Sequence, residues 1–335
     1  MALSPGLDWA MNLASHFDGP VGDVLAALRD SEPAAVAGRE DPASLVWPMS
    51  EAVASAMYWQ EPDERDALIA DRPELVEALV PVAEAVLAAP ATAWWSSGVD
   101  LASLQDIEFR AEHGTRHQPL TGVPGRLVAG EARERSLAAM NGPARPTDPR
   151  GTPSSGWWSV PMAAGLPATT RGLPGLGAVG LMWAEDGDSD YEEADLRRLA
   201  PRREPRVYEV DSPAAWVALV ERFPLDVTDL RRNDWYSVSG RDCPWFLPEW
   251  LAVAEAYDAV HLTVTGYLVS ATKAWDVAVP GTEDAATLLG GWNPDETLWL
   301  TDVLEVTGEL ERWRDVDDRP DTDPLGPETG WRRAG

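Results

Sequence analysis

The chain is almost devoid of lysine and cysteine: Lys273 and Cys243 are the only residues of their kinds among 335. A single cysteine excludes any intramolecular disulfide, so nothing points to an oxidising compartment. A single lysine excludes chemistry that needs two amines and is a poor basis for a Schiff base. Phenylalanine and histidine are scarce, at 4 residues each. No apolar stretch approaches the ~20 residues of a membrane-spanning helix. Met1 to Trp9 lacks the basic segment and apolar run of a signal peptide. The expected address is therefore cytoplasmic, with no membrane partner.

Positive charge is also in short supply. Against 56 Asp and Glu stand 27 Lys and Arg, a net charge of −29. Such a chain repels phosphate backbones and anionic lipid, which excludes direct nucleic-acid binding through a basic patch. A basic protein partner, a cationic small molecule or plain solubility all fit. Apolar residues reach 44%, near the globular norm, so a sizeable core is expected.

What the chain has in excess is tryptophan, 17 residues. Each brings a large buried area and one N–H that needs a partner. Trp therefore serves either as core or as the flat wall of a ligand pocket.

Local patterns divide the chain. Residues 1–140 read as mainly helical, with apolar-periodic segments at Gly22–Arg29 and Glu51–Trp59. A further helix is expected to start at Asp71-Arg72-Pro73-Glu74, with Pro81 kinking it or dividing it into two short helices. Residues 141–156, dense in Pro, Gly, Ser and Thr, read as a loop or linker. Residues 157–313 form a Trp-rich α+β region, and 314–335 a loosely ordered acidic tail. Within the α+β region Gly156–Val160, Ala178–Trp183 and Arg206–Val210 read as strands. Ser212-Pro213 reads as a helix start, followed by one apolar stripe of Trp216, Leu219, Val220 and Phe223. Pro248 is expected to open a second helix. Strands are expected at Ala259–Val269 and Thr297–Leu304. The fold class is α+β: a helical N-terminal region, then a mixed or antiparallel sheet with flanking helices.

Most motif-like spellings fail on context. Gly175-Leu176-Gly177-Ala178-Val179-Gly180 has the letters of a dinucleotide fingerprint but no helix after it, so a tight turn between strands is expected. Asp186 to Asp190 lacks the glycine and glutamate of a calcium loop, and Glu185–Asp195 reads as a solvated acidic loop. His113 and His117 flank a glycine and lack a third ligand, so no metal site is assigned. Cys243, between aromatics, reads as a buried, inert thiol.

One constellation remains. On a strand Ala259–Val269, His261, Thr263, Thr265 and Tyr267 share a polar face. Neighbouring elements could add Arg206, Glu209, Asp234, Trp235, Trp292 and Glu296. Its candidate catalytic residues are His261, Glu296 and Arg206, with His261 as the acid–base group. Thr263, Thr265, Tyr267, Trp235 and Trp292 are its candidate binding groups for a small molecule, and no cofactor is specified. An ordinary solvent-facing strand side fits the same alternation. A non-catalytic alternative is an acidic interaction protein, of the immunity or inhibitor type, that docks on a basic protein.

Through Trp157-Trp158-Ser159-Val160-Pro161, Gly175–Leu181, Asp234-Trp235-Tyr236, Tyr257–Val264 and Gly291-Trp292-Asn293-Pro294-Asp295, the chain resembles uncharacterised Trp-rich proteins of high-GC Gram-positive bacteria. The likeness runs from about Trp157 to Trp331 and implies no activity. A fainter resemblance is to ADP-ribosyltransferases, whose sites use an arginine, a Ser/Thr-bearing strand and a glutamate in that order. It implies glycosyl- or ADP-ribosyl-type transfer with Arg206, Thr263 or Thr265, and Glu296. The Ser-Thr-Ser and Glu-x-Glu patterns of that family are absent.

Overall fold

A computed structural model describes residues 25, 29, 33–54, 72–110, 117–141, 148–150, 156–163, 165–185, 191–316 and 330–334. The expected helix at Gly22–Arg29, Asp71, His113 and the Asp186–Asp190 run fall wholly or mainly outside them; the helix expected after Asp71 begins at Pro73, with Arg72 rather than Asp71 at its cap.

Short helices lead the chain: α1 (Pro33–Ala37), α2 (Val46–Ala54) and α3 (Pro73–Ala88). Helix α3 runs through Pro81 without ending there. A 3-10 turn, Pro90–Ser96, follows. Then comes β1 (Leu104–Phe109), α4 (Val123–Asn141), β2 (Ala168–Leu173), β3 (Gly177–Ala178), β4 (Glu193–Pro201) and β5 (Val207–Val210). The C-terminal half adds α5 (Pro213–Arg222), β6 (Pro224–Asp226), α6 (Thr228–Ser239), β7 (Phe246–Pro248), α7 (Trp250–Ala256), β8 (Ala259–Leu262) and α8 (Val264–Ser270). It closes with β9 (Ala274–Asp276), β10 (Ala286–Leu288), β11 (Thr297–Trp299), β12 (Leu304–Val306), β13 (Glu311–Val316) and β14 (Gly330–Arg333).

The architecture is α+β. One 10-stranded mixed sheet runs in the order β14-β13-β4-β1-β2-β11-β8-β5, with β12 on β4 and β3 on β2. All its pairings are antiparallel except β5 with β8. The sheet takes β1 from the segment expected to be helical and β14 from the expected tail, so it crosses both boundaries drawn from composition. Among the described residues no single helix is long and apolar enough to cross a membrane.

Several elements form for the reasons legible in their residues. Ser212 Oγ accepts a hydrogen bond from Ala215 N at 3.2 Å and Pro213 occupies the first turn, so α5 starts there. Its Trp216, Leu219 and Val220 are buried, each contributing roughly 1.5–3 kcal/mol by leaving water. Helix α6 stops at Gly240, whose φ of 69° gives the left-handed cap that non-glycine residues resist.

The strand expected over Ala259–Val269 ends at Leu262. Thr263 Oγ1 accepts from Gly266 N at 2.9 Å and caps α8 instead. A Cβ at Gly266 would fall 2.1 Å from the Val210 carbonyl, so only glycine lets this turn dock on β5. Local capping thus overrides the β-branched alternation that suggested a strand. Other expected strands are also shorter: Gly156–Val160 is irregular, Ala178 ends β3, and Thr297–Leu304 splits into β11 and β12. Pro248 closes β7 rather than opening α7.

The main core lies between the sheet and the helices. At least seven of the tryptophans, at positions 95, 183, 216, 235, 245, 292 and 299, are fully buried. The tryptophan excess is therefore largely core.

Candidate functional site

Strand register builds one polar row across the sheet. Glu209 on β5 stands opposite His261 on β8, His261 opposite Thr297 on β11, and Thr297 opposite Thr169 on β2. Arg171 lies two residues beyond Thr169 and so shares that face. Asp295, immediately before β11, completes the group.

His261 is 1% exposed. Its Nδ1 is 2.9 Å from Thr297 Oγ1, which fixes the ring. Its Nε2 lies 3.9 Å from Glu209 Oε2 and 4.0 Å from Asp295 Oδ1. Burial, reinforced by the Arg171 charge, pushes the imidazole down to about 3. The ring is therefore neutral at physiological pH and carries one donor and one acceptor nitrogen.

Both carboxylates move the other way. Burial pushes Asp295 up to about 6, against the opposing Arg171 charge and hydrogen bonds. Arg171 N donates to Asp295 Oδ2 at 2.8 Å, and the guanidinium Nε lies 3.4 Å from Oδ1. Asp295 also has a φ of 58°, a left-handed conformation that strains a non-glycine residue and recurs at functional sites. Glu209 is raised chiefly by burial, partly offset by the hydrogen bond from Val99 N. Its side chain keeps 33% exposure, so this carboxylate is the group nearest solvent. Glu209 Oε2 and His261 Nε2 have no hydrogen-bond partner among the described residues.

A short segment covers the cluster. Val99 N donates to Glu209 Oε1 at 3.1 Å, and a Cβ on Gly98 would fall 2.7 Å from that oxygen. Arg171 Nη2 donates to Ser97 Oγ and to the Gly98 carbonyl. Ser96 Oγ meets Thr265 Oγ1 at 2.9 Å, pinning the segment to α8. Arg171 also sits 4.9 Å from the centre of the Trp94 ring, which stacks on Trp183. One arginine thus ties the acid, the cover and an aromatic wall together.

The groups expected from sequence are only partly brought together. His261 and Glu209 are at the centre. Arg206 is not: it lies three residues, roughly 10 Å, along β5 from Glu209. There it binds buried Asp258 through its backbone N and guanidinium. Glu296 turns back to Asn293, whose N lies 3.3 Å from its carboxylate, and burial pushes it up to about 7. Thr263 is used as a helix cap, Thr265 as the latch to Ser96, and Tyr267 is buried core. Trp235 and Trp292 are fully buried: Trp235 Nε1 donates to the Trp157 carbonyl, and Trp292 packs edge-on against Trp216 and Trp250. They are core residues, not pocket walls. Asp234 accepts from Gly156 N.

The chain matches no protein-family model, no curated protein and no solved structure.

Arg171, Asp295, Ser97, Trp94 and Trp183 escaped the sequence reading. Arg171 and Asp295 carry no motif, since 124 positions separate them. The residue that could have signalled the site is Asp295 itself, a carboxylate in the turn Asn293-Pro294-Asp295 just before a strand. Among the described residues no group of three or more His, Cys, Asp or Glu side chains is arranged to hold a metal ion. Cys243 is buried and pushed up to about 11 by desolvation, which suits an inert thiol.

Proposed function

We propose that the chain is an acid–base enzyme acting on a small molecule, of the glycosyl-transfer or glycosyl-hydrolysis type, with its centre at His261, Glu209 and Asp295. One observation carries this reading. Two carboxylates, both pushed above their ordinary range by burial, stand within 4.0 Å of one unpartnered, neutral imidazole nitrogen. That geometry keeps their facing oxygens within about 8 Å, compatible with the roughly 5–9.5 Å separations that carboxylate pairs use at a glycosidic bond.

The roles follow from the environments. Asp295, deeply buried and proton-retaining to about 6, gives its proton to the leaving oxygen as the carbon–oxygen bond breaks. Glu209, nearer solvent, takes a proton from the attacking water as the new carbon–oxygen bond forms. His261 holds a substrate hydroxyl without itself changing charge. Arg171 is a positioning residue that orients Asp295 and ties down the cover. ADP-ribosyl-type transfer belongs to the same class, because it also breaks a bond at an anomeric carbon. The roles expected for Arg206 and Glu296 pass to Glu209 and Asp295.

The docking alternative, an acidic partner for a basic protein, draws on the charge of −29. Three carboxylates of the acidic run, among the described residues, are engaged within the chain. Asp195 pairs with Arg110 and Arg312, Glu193 with Arg110 and Arg314, and Glu185 accepts from Trp292 N. This favours the enzyme reading.

The test is thermal shift against a panel of monosaccharides, glycosides and dinucleotides. A binder should raise the midpoint of the native chain, and His261→Ala and Glu209→Gln should each remove the shift. No shift with any member, or equal shifts in both variants, rejects the site.

A further inference from the structure

The face of the sheet turned away from the acid–base centre carries a second feature. Gln105 follows Leu104, the residue opposite Arg171, and therefore points away from His261. On β4, Arg198 stands opposite Gln105, and Ala194, on the same face, stands opposite Trp313 of β13. The hairpin of β2 and β3 folds over these side chains, and its glycines permit the approach. A Cβ at Gly172 would meet the Gln105 carboxamide at 2.9 Å, and one at Gly177 the Trp313 ring at 2.9 Å. Between the hairpin and the sheet lies a recess of about 540 Å³, whose wall includes Gln105, Trp313, Leu173 and Pro174. Gly175 and Gly177, from the glycine spelling that lacks a phosphate-cradling helix, belong to the same wall. The size suits a small organic ligand, for which pockets of roughly 300–1,000 Å³ are usual.

Two buried, neutral side chains in this wall lack partners among the described residues. Gln105 is 7% exposed, and its Oε1, an acceptor, has no hydrogen bond. Trp313 is 5% exposed, and its indole N–H, a donor, has none either. Each is costly while unpaired, and each is satisfied by a group of the opposite kind. The charged side chains stay at the rim: Arg198 is exposed to water, and Arg333 is 3.3 Å from Glu311. A charged group brought against Gln105 and Trp313 would lose hydration to partners that carry no charge. The complementary ligand is therefore neutral, with one donor for Gln105 and one acceptor for Trp313. A lactam edge, a ring N–H beside a carbonyl, supplies both from one flat ring. Leu173 and Pro174 offer that ring an apolar surface.

We infer that this recess binds an uncharged heterocycle of nucleoside size through a lactam edge, at a site distinct from the His261 centre. Gln105 Oε1 accepts from the ring N–H, and the Trp313 indole donates to the carbonyl. Isothermal titration of the full chain with uridine and with 3-methyluridine tests it, because a methyl group on that ring nitrogen is their only difference. Uridine should bind, and 3-methyluridine should bind at least about tenfold more weakly, as expected when a buried acceptor is left unpaired. Uridine affinity should stay level as salt rises, as for a neutral ligand. Gln105→Leu should bind the two nucleosides alike, a loss of discrimination that misfolding, which removes binding altogether, cannot mimic. The comparison in the native chain decides the matter if that variant does not fold. Asp295→Asn, on the other face, should leave uridine binding unchanged, so the two sites fail or succeed separately. No binding of uridine at millimolar concentration, equal native affinity for the two nucleosides, or affinity that falls steeply with salt overturns the inference. So does discrimination retained in Gln105→Leu, or loss of uridine binding in Asp295→Asn.

Discussion

Replacing Asp295 by asparagine should flatten the pH dependence of stability in a defined window. The carboxyl is 2% exposed and pushed up to about 6 from an ordinary 3.8. Between those values the folded chain holds a proton that the unfolded chain has released. Stability from this group is therefore full below about pH 4 and is lost as pH rises through about 6. A shift of about two units corresponds to roughly 3 kcal/mol. Asparagine cannot titrate, so the variant should lack this loss. His261 works in the opposite sense. Its folded value of about 3 lies below the ordinary 6.5, so its contribution is lost as pH falls. The two partly cancel in the native chain, and only the difference between native and Asp295→Asn isolates the carboxyl. Asparagine also gives up the ionic part of the Arg171 contact, which reduces the gain at high pH. The assay is urea unfolding of both proteins at pH 4.5 and pH 8. Relative to the native chain, Asp295→Asn should gain about 1–3 kcal/mol between the two conditions. Parallel pH profiles would refute the claim that burial keeps this carboxyl protonated.

Other outcomes follow from single contacts. Arg171→Ala removes the partner of a buried carboxylate and should cost about 3–5 kcal/mol at neutral pH, read by urea unfolding. Gly266→Ala places a Cβ 2.1 Å from the Val210 carbonyl and should cost at least about 3 kcal/mol, or prevent soluble expression. Thr265→Val breaks the latch to Ser96 and should speed hydrogen exchange at residues 96–99, at a cost of only about 1 kcal/mol. Asp258, fully buried between Arg203 and Arg206, is held well below the usual carboxylate range by hydrogen bonds, chiefly from Arg203. Its contribution is present above about pH 4 and lost as pH falls. Asp258→Asn should therefore reduce acid sensitivity while lowering stability at pH 7.

The legible parts of the fold were those set by neighbours in sequence. Ser212 and Pro213 announced α5, its apolar stripe announced the buried face, and Val207–Val210 read as a strand. The tight turn at Gly175–Gly177 was also visible, and both glycines have positive φ. Failures arose where a local competitor won. Val264, Thr265, Tyr267 and Val269 look like strand residues, yet the Thr263 cap and Gly266 turn them into a helix. The site was half visible. His261 stood out on the polar side of an alternating segment, and Glu209 as a residue that a neighbouring strand could bring to it. Their partners did not, because Arg171 and Asp295 meet only through the pairing of β2 with β11. Trp235 and Trp292 misled for a physical reason: a tryptophan that walls a pocket and one that fills a core have the same sequence signature.

The most direct test of the acid–base centre is turnover of a panel of aryl glycosides and of a nicotinamide dinucleotide, read as release of the leaving group. The native chain should release it from at least one member, with the rate falling as pH rises through about 6 as Asp295 loses its proton. Asp295→Asn and Glu209→Gln should each abolish that release while remaining folded. No release from any member, or equal rates in the native chain and both variants, would contradict the assignment of His261, Glu209 and Asp295 as the working centre.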